Sequence, residues 1–501
     1  MKNLINELRQ ATLERETRRH FLHTCTTGLG AMAFGSLLGG CDFLGKKGVQ
    51  TGGPNGVPGN DNPAMLARAA QFAPKAKRVI YIHTAGSPSQ LETFDYKPEL
   101  VKYNGKDCPQ ELLTGKKFAF IRGTPKMLGP QGVFKQHGQS GAWMSDYYTH
   151  LPDVVDDITF LKAMHTDQFN HAPAQLLMHT GSARLGRPSM GSWVTYGLGS
   201  ENDNLPGFIV LASGGKQPDA GKSVWGSGFL PSVYQGVQCR TDGDPVLYVS
   251  DPKGMNRDIR KQTIDAISEI NKQQYDEVKD PEILTRISQY ELAFRMQMSV
   301  PDAMDIKHEP QAMLDLYGAD PNKGSLARNC LLARRLVEQG VRFVQLFDWG
   351  WDTHGTSEDG SIDVGLRKKC QEVDQAVTGL LKDLKQRGLL DDTLVVFGGE
   401  FGRTPMQENR DNQKLPFMGR DHHLEAFTVW MAGGGVKPGL SFGETDDIGY
   451  YGVKDKVHVH DLQATILHLM GFDHTKLTYS FQGRPFRLTD VAGKVVKPIL
   501  A

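Results

Sequence analysis

The chain has 501 residues, enough for a large α/β domain with insertions, and carries 57 basic against 57 acidic side chains. That balance excludes the strong positive field on which a dedicated nucleic-acid or anionic-membrane binder depends, so neutral or small partners are expected and no nucleic acid. Six cysteines without a C-x-x-C pair argue against both a disulfide framework and a thiolate metal site, leaving Cys108, Cys239, Cys330 and Cys370 as isolated buried thiols.

At the N-terminus, Arg18 and Arg19 precede the apolar stretch GLGAMAFGSLLGG, which is too short to span a bilayer and ends at Cys41. Paired arginines followed by Leu-Gly-Gly-Cys resemble a twin-arginine export signal joined to a lipoprotein box, with Cys41 as the lipidated residue. Residues 1–41 are therefore expected to be a signal, and the mature chain to be exported and anchored at the periplasmic face of the membrane. The next segment, 42–75, begins rich in Gly, Pro and Asn with few large apolar residues, as expected of a flexible tether.

From residue 76 to 501 the pattern is that of one α/β domain. RVIYIH (Arg78 to His83) is the first strand, closed by a Gly-Ser-Pro-Ser loop in which Ser87 and Ser89 are hydroxyl candidates. Further strands are expected at DITFLKAM, GFIVLA, VRFVQLF, TLVVFGG and FTVWMAGG. A helix with Ser325 as N-cap and Gly340 as stop leads directly into VRFVQLF, and a second, beginning near Cys370, leads into TLVVFGG. Helix and strand alternate, which predicts a mixed, mostly parallel sheet sandwiched between helices. The charged segment from about 260 to 304 reads as a helical insertion.

Ligands of open α/β sheets bind beyond the strands' carboxyl ends, and there the histidines and carboxylates collect. FDWGWDTH offers Asp348, Asp352 and His354; GGEFGRTP offers Glu400 and Arg403; GRDHH offers Arg420, Asp421, His422 and His423. Such nitrogen and oxygen donors suit one divalent ion, zinc or manganese, and the expected ligands are Asp352, His354, Glu400 and one of His422 or His423, with Asp348 in reserve. Arg187, Arg403 and Arg420 are candidates to pair with an anionic group. In NHAPAQLLMHTGS, His171 stands at a helix start with Pro173 in the first turn and a Thr-Gly stop; it is open to use as ligand, general base, phosphoryl-accepting nucleophile or hydrogen-bonded turn residue, and His165 is near enough in sequence to join it.

The blocks KRVIYIHTAGSPSQLETFDYKP, NHAPAQLLMHTGSARLGRP, GLLDDTLVVFGGEFGRTP, GRDHHLEAFTVWMAGGGV and VHVHDLQATILHLMG, spread from about Arg78 to Leu488, resemble the bacterial DUF1501 family, a sulfatase-like branch of the alkaline phosphatase superfamily. The resemblance implies an alkaline phosphatase-like fold with a nucleophile at a helix start and divalent metal held by Asp and His at strand ends. This sequence departs from that pattern. His171 occupies the nucleophile position, Ala174 and Gln175 the Ser and Arg positions, Phe401 the position of a metal-binding His or Asn, and His83 that of a first-strand Asp, with Asp95 a dozen residues on. One metal is therefore expected, not two, with His171, Glu400 and Arg403 as the catalytic candidates. Two functions remain open: a metal-dependent hydrolase of a small-molecule or glycan sulfate or phosphate ester, and a non-catalytic binding or assembly lipoprotein on the same fold.

Overall fold

In the computed structural model, residues 65–240, 257–410 and 413–501 are described. The readings of Arg18, Arg19 and Cys41, the signal at 1–41 and most of the tether lie outside them. Among the described residues nine strands build the central sheet: β1 (Arg78–Ala85), β2 (Ile158–His165), β3 (Phe208–Ser213), β4 (Val237–Gln238), β5 (Phe343–Trp349), β6 (Thr393–Gly398), β7 (Phe427–Ala432), β8 (Ser441–Phe442) and β9 (Val457–His458). In space they run β8, β2, β7, β6, β1, β5, β3, β4, with β9 also pairing β2. Only β7 is antiparallel to its neighbours; the other pairings are parallel, including β1 with both β5 and β6. All six strands expected from the sequence are present, and the sheet is mixed and mostly parallel.

Both faces of the sheet are covered, for a reason visible in the side-chain alternation. Ile80 and Ile82 of β1, Val344 and Leu346 of β5, and Val395 and Phe397 of β6 join one core cluster. Val79, Tyr81, Phe343, Phe347, Leu394 and Val396 join the other. The first face receives α5 (Leu326–Glu338) and α6 (Gly365–Gln386); the second receives α1 (His171–Thr180), α2 (Met190–Leu198) and α7 (Val459–Leu469). Ser325 caps α5 by accepting from Arg328 N, as its sequence position predicts. The insertion is a pair of helices, α3 (Arg257–Val278) and α4 (Pro281–Met304). No described helix is long and apolar enough to cross a membrane.

Parallel strands carry their carboxyl ends to one edge, so the loops after β1, β5 and β6 emerge side by side despite being hundreds of residues apart in sequence. Gly86, which follows β1 at φ 102°, permits one of these close approaches: a Cβ there would stand 2.6 Å from the backbone nitrogen of Asp352.

Candidate metal centre

Four side chains from three separate segments converge at that edge: His171, Asp352, His354 and His422. His171 is the first residue of α1, with Asn170 in extended conformation before it, Pro173 in the first turn and Gly181 as the left-handed stop. Asp352 and His354 lie in the loop after β5. His422 comes from a two-residue strand, His422–His423, that pairs antiparallel with Gly402–Arg403 and so stands across from Arg403.

Each imidazole is fixed by its Nδ1. His171 Nδ1 donates to Glu400 Oε1 at 2.8 Å, His422 Nδ1 donates to the carbonyl of Phe169 at 2.6 Å, and His354 Nδ1 donates to Glu408 Oε2. Carbonyl and carboxylate oxygens only accept, so in the neutral rings all three Nε2 atoms keep their lone pairs, which is how metal-binding histidines are oriented. Asp352 Oδ1 lies 3.3 Å from His171 Nε2, 2.8 Å from His354 Nε2 and 3.3 Å from His422 Nε2, and the last two nitrogens are 3.1 Å apart. Donors about 2.0–2.1 Å from a tetrahedral zinc ion would be about 3.3 Å from one another. His171 Nε2 is buried and has no aligned hydrogen-bond partner of its own. Donor type, spacing and an orphaned nitrogen all fit one divalent ion.

Electrostatics reinforce the geometry. Burial alone would raise the Asp352 carboxyl, but the Arg403 charge and the close approach of the His171, His354 and His422 rings hold it well below the usual range. Glu400 is likewise buried, yet the bond from His171 and the adjacent His83 ring keep it ionised. Burial pulls His422 down to about 4 and, with Arg403 nearby, favours its neutral ring even though Asp352 lies beside it. His171 behaves oppositely when no metal competes: burial lowers its pKa, but Asp352 and Glu400 carry it to about 9, above the ordinary 6.5. A raised folded-state pKa gives stability that is complete below the unfolded value and is lost as pH rises through the folded one. Metal-free protein should therefore lose thermal stability from His171 between about pH 6.5 and 9, and saturating zinc should flatten that slope by requiring the neutral ring. Calorimetry with and without zinc measures both slopes; a metal-free midpoint rising across the window would contradict the pairing.

Several sequence expectations are corrected here. Glu400 is not a fourth donor. Its oxygens accept from Gly86 N (3.2 Å), Ser87 Oγ (3.1 Å), Gln175 Nε2 (3.1 Å) and His171 Nδ1, with His83 Nε2 3.2 Å away, so it stands behind His171 and orients it. His423 points away, its Nε2 2.6 Å from the carbonyl of Tyr450, because successive residues of a strand face opposite sides. Arg403 is wholly buried and bonds Asp352 (2.6 Å) and the carbonyls of Gly86, Ser87 and Arg420, so it holds Asp352 in place and is not free to meet an anion. Arg420 pairs with Glu92, and Arg187 sits over the Phe486 ring beside Asp490.

Asp348, the reserve ligand, is used by Ser213, Trp351 and Lys369. His165 packs against His458 instead, and Asp95 accepts from Thr445. His83 is sealed against His179 and Phe347, while Phe401 packs on the rings of His171 and His422; neither adds a donor to the cluster. Ser87 is tied to Glu400 and the Phe401 amide, which leaves it no nucleophilic role.

Two residues, Glu408 and Asp219, and the role of Gln175 are not marked by the sequence. Glu408 is fully buried beside His354, but nothing in GRTPMQENR distinguishes it. Gln175, one turn into α1, bonds Glu400; the helical period after His171 was the available signal. Asp219, open to solvent, lies 3.4 Å from Gln175 Nε2, and partial burial raises its carboxyl pKa although the His171 charge opposes this.

Fold and site together define an α/β protein with a candidate single-metal, nitrogen and oxygen centre at the carboxyl edge of its sheet. The chain belongs to the family described as protein of unknown function (DUF1501), whose profile matches residues 76–500. Comparison with curated proteins gives no match. Among solved structures it is similar to the PsFucS1 sulfatase from Pseudoalteromonas sp., with 12% identity over 79% of this chain and 68% of that one and a TM-score of 0.33. The phosphonate monoester hydrolase SpPMH from Silicibacter pomeroyi has 14% identity, coverage of 71% and 72%, and a TM-score of 0.30. The alkaline phosphatase of the Antarctic bacterium TAB5 has 11% identity, coverage of 79% and 97%, and a TM-score of 0.27. Likenesses at these scores transfer no chemistry to this chain.

Proposed function

We propose that the protein is a divalent-metal-dependent hydrolase acting on a sulfate or phosphate ester of a small molecule or glycan. The observation that carries this reading is the set of three imidazoles, each anchored through Nδ1, whose Nε2 atoms gather around Asp352 Oδ1. A bound zinc or manganese ion supplies Lewis acidity, polarising an ester oxygen and lowering the pKa of water. Glu400, Glu408 and the Phe169 carbonyl hold the three rings in the required tautomer, and Arg403 keeps Asp352 ionised. Asp352, whose side chain is 33% exposed, is the donor through which substrate reaches the centre. Asp219 is the group placed to exchange a proton there: it is accessible, it is linked through Gln175 to Glu400, and its raised pKa suits acid and base work.

A non-catalytic scaffold is the second reading, favoured by one feature: four protein donors complete a tetrahedral set, as in structural zinc sites. Asp219→Asn separates the two. In a hydrolase it should keep the metal and lose ~10²–10⁴-fold in turnover of aryl sulfate or aryl phosphate esters. Absence of hydrolysis by metal-loaded wild type across both ester classes would leave the scaffold reading.

Export and a lipid anchor at Cys41 belong to the same proposal, supported by Arg18, Arg19 and the Leu-Gly-Gly-Cys box. Labelled palmitate should be incorporated by wild type and not by Cys41→Ala; an unlabelled wild type removes the anchor from the proposal.

A further inference from the structure

Helix α3 exposes four branched apolar side chains: Ile259 is 47% accessible, Ile267 37%, Ile270 65% and Val278 61%. At 3.6 residues per turn these positions fall within an arc of about 100° and span about 28 Å of helix. Thr263 and Gln274 lie between them, uncharged. The buried side of α3 is a different one, formed by half-buried Ile264, buried Ser268, and half-buried Asn271 and Tyr275. The exposed charges Lys261, Asp265, Lys272 and Asp276 sit on a third face, turned away from the apolar stripe. A helix usually docks on its own domain through its apolar face; α3 buries a mixed face and leaves its branched apolar stripe exposed.

The stripe is also symmetric along its length. About the bond between Ser268 and Glu269, Ile267 is the counterpart of Ile270, Thr263 of Gln274, and Ile259 of Val278. A two-fold axis through that point sets each residue against its counterpart on an antiparallel copy of the same helix. Isologous interfaces need this kind of self-complementarity, in which residue i meets j and j meets i. An unrelated partner would place no such demand on the spacing. A bilayer surface would favour basic residues along the rim, whereas Gln262, Ala266 and Gln273 border the stripe here.

We propose that the exposed face of α3 pairs with the same face of a second copy of the chain, the two helices lying antiparallel about a two-fold axis between Ser268 and Glu269. The metal centre is built entirely from another part of the fold, so the dimer stands or falls independently of the proposed hydrolase activity.

Sedimentation velocity of the full chain across a concentration series should show a monomer–dimer equilibrium. Ile267→Asp and Ile270→Asp should each abolish the dimer while leaving unchanged the far-ultraviolet circular dichroism and the thermal midpoint measured at dilutions where the wild type is monomeric. Register is read by cross-linking: mixing Ile267→Cys chains with Ile270→Cys chains should give a disulfide-linked pair under mild oxidation, in greater yield than either variant alone. A chain monomeric at every concentration, or a dimer that persists in both Asp variants, overturns the proposal. So does a monomer that pellets with anionic lipid vesicles through Ile267 and Ile270, since the face would then belong to a membrane surface.

Discussion

A chain carrying His354→Ala is expected to purify without stoichiometric zinc or manganese, whereas Glu408→Ala should still bind metal but ~10–100-fold more weakly. The difference follows from position. His354 Nε2 is one of the converging donors, 2.8 Å from Asp352 Oδ1 and 3.1 Å from His422 Nε2, so its loss breaks the set. Glu408 touches only the far side of that ring; without it, Nδ1 is unanchored and the imidazole becomes free to turn and to change tautomer. Metal analysis of dialysed protein, followed by chelator competition, measures both variants. Full metal occupancy in His354→Ala would place any ion elsewhere and remove the centre described above.

The second large effect is on stability. Glu400→Ala should cost ~3–5 kcal/mol in denaturant unfolding, the range for removing one partner of a buried charged network. The carboxylate is fully buried and receives Gly86 N, Ser87 Oγ, Gln175 Nε2 and the His171 ring, all of which lose their acceptor together. Glu400→Gln keeps one acceptor oxygen and should be milder, but its amide presents a second donor to groups that already donate. Its signature should therefore be weakened metal binding through a misdirected His171, more than unfolding. A Glu400→Ala chain as stable as wild type would mean that these contacts are individually replaceable by water.

The two expectations separate tasks that the primary structure presents as one. Glu400 follows a strand, next to a glycine turn, in the setting of a metal-binding carboxylate. Its neighbours in space, not in sequence, make it a support for His171. Ser87 and Gly86 are brought to it from the far end of the chain because β1 and β6 are adjacent parallel strands, with His83 in register beside Gly398. Arg403 undergoes the same reassignment: an arginine in a strand-end loop becomes a buried clamp on Asp352 once the loop after β1 closes over it.

The order and type of the main elements were legible in the sequence because each carries its own signal. Apolar runs of strand length give the sheet, the Ser325 cap and helical period give α5, and Pro173 with the Thr-Gly stop place His171 at the start of α1. Asp352 and His354 could be nominated for the same reason, since a donor-rich loop directly follows a strand. The choice between His422 and His423 was beyond local pattern, because adjacent residues of equal chemistry differ only in the side of a strand they face, and that side is set by pairing with Gly402–Arg403. Glu408 carried no local mark at all. Periodicity and capping act over a few residues and can be read in one dimension; the roles of Glu400, Arg403, His422 and Glu408 depend on hydrogen-bond partners delivered by other strands and loops, so only the folded sheet decided them.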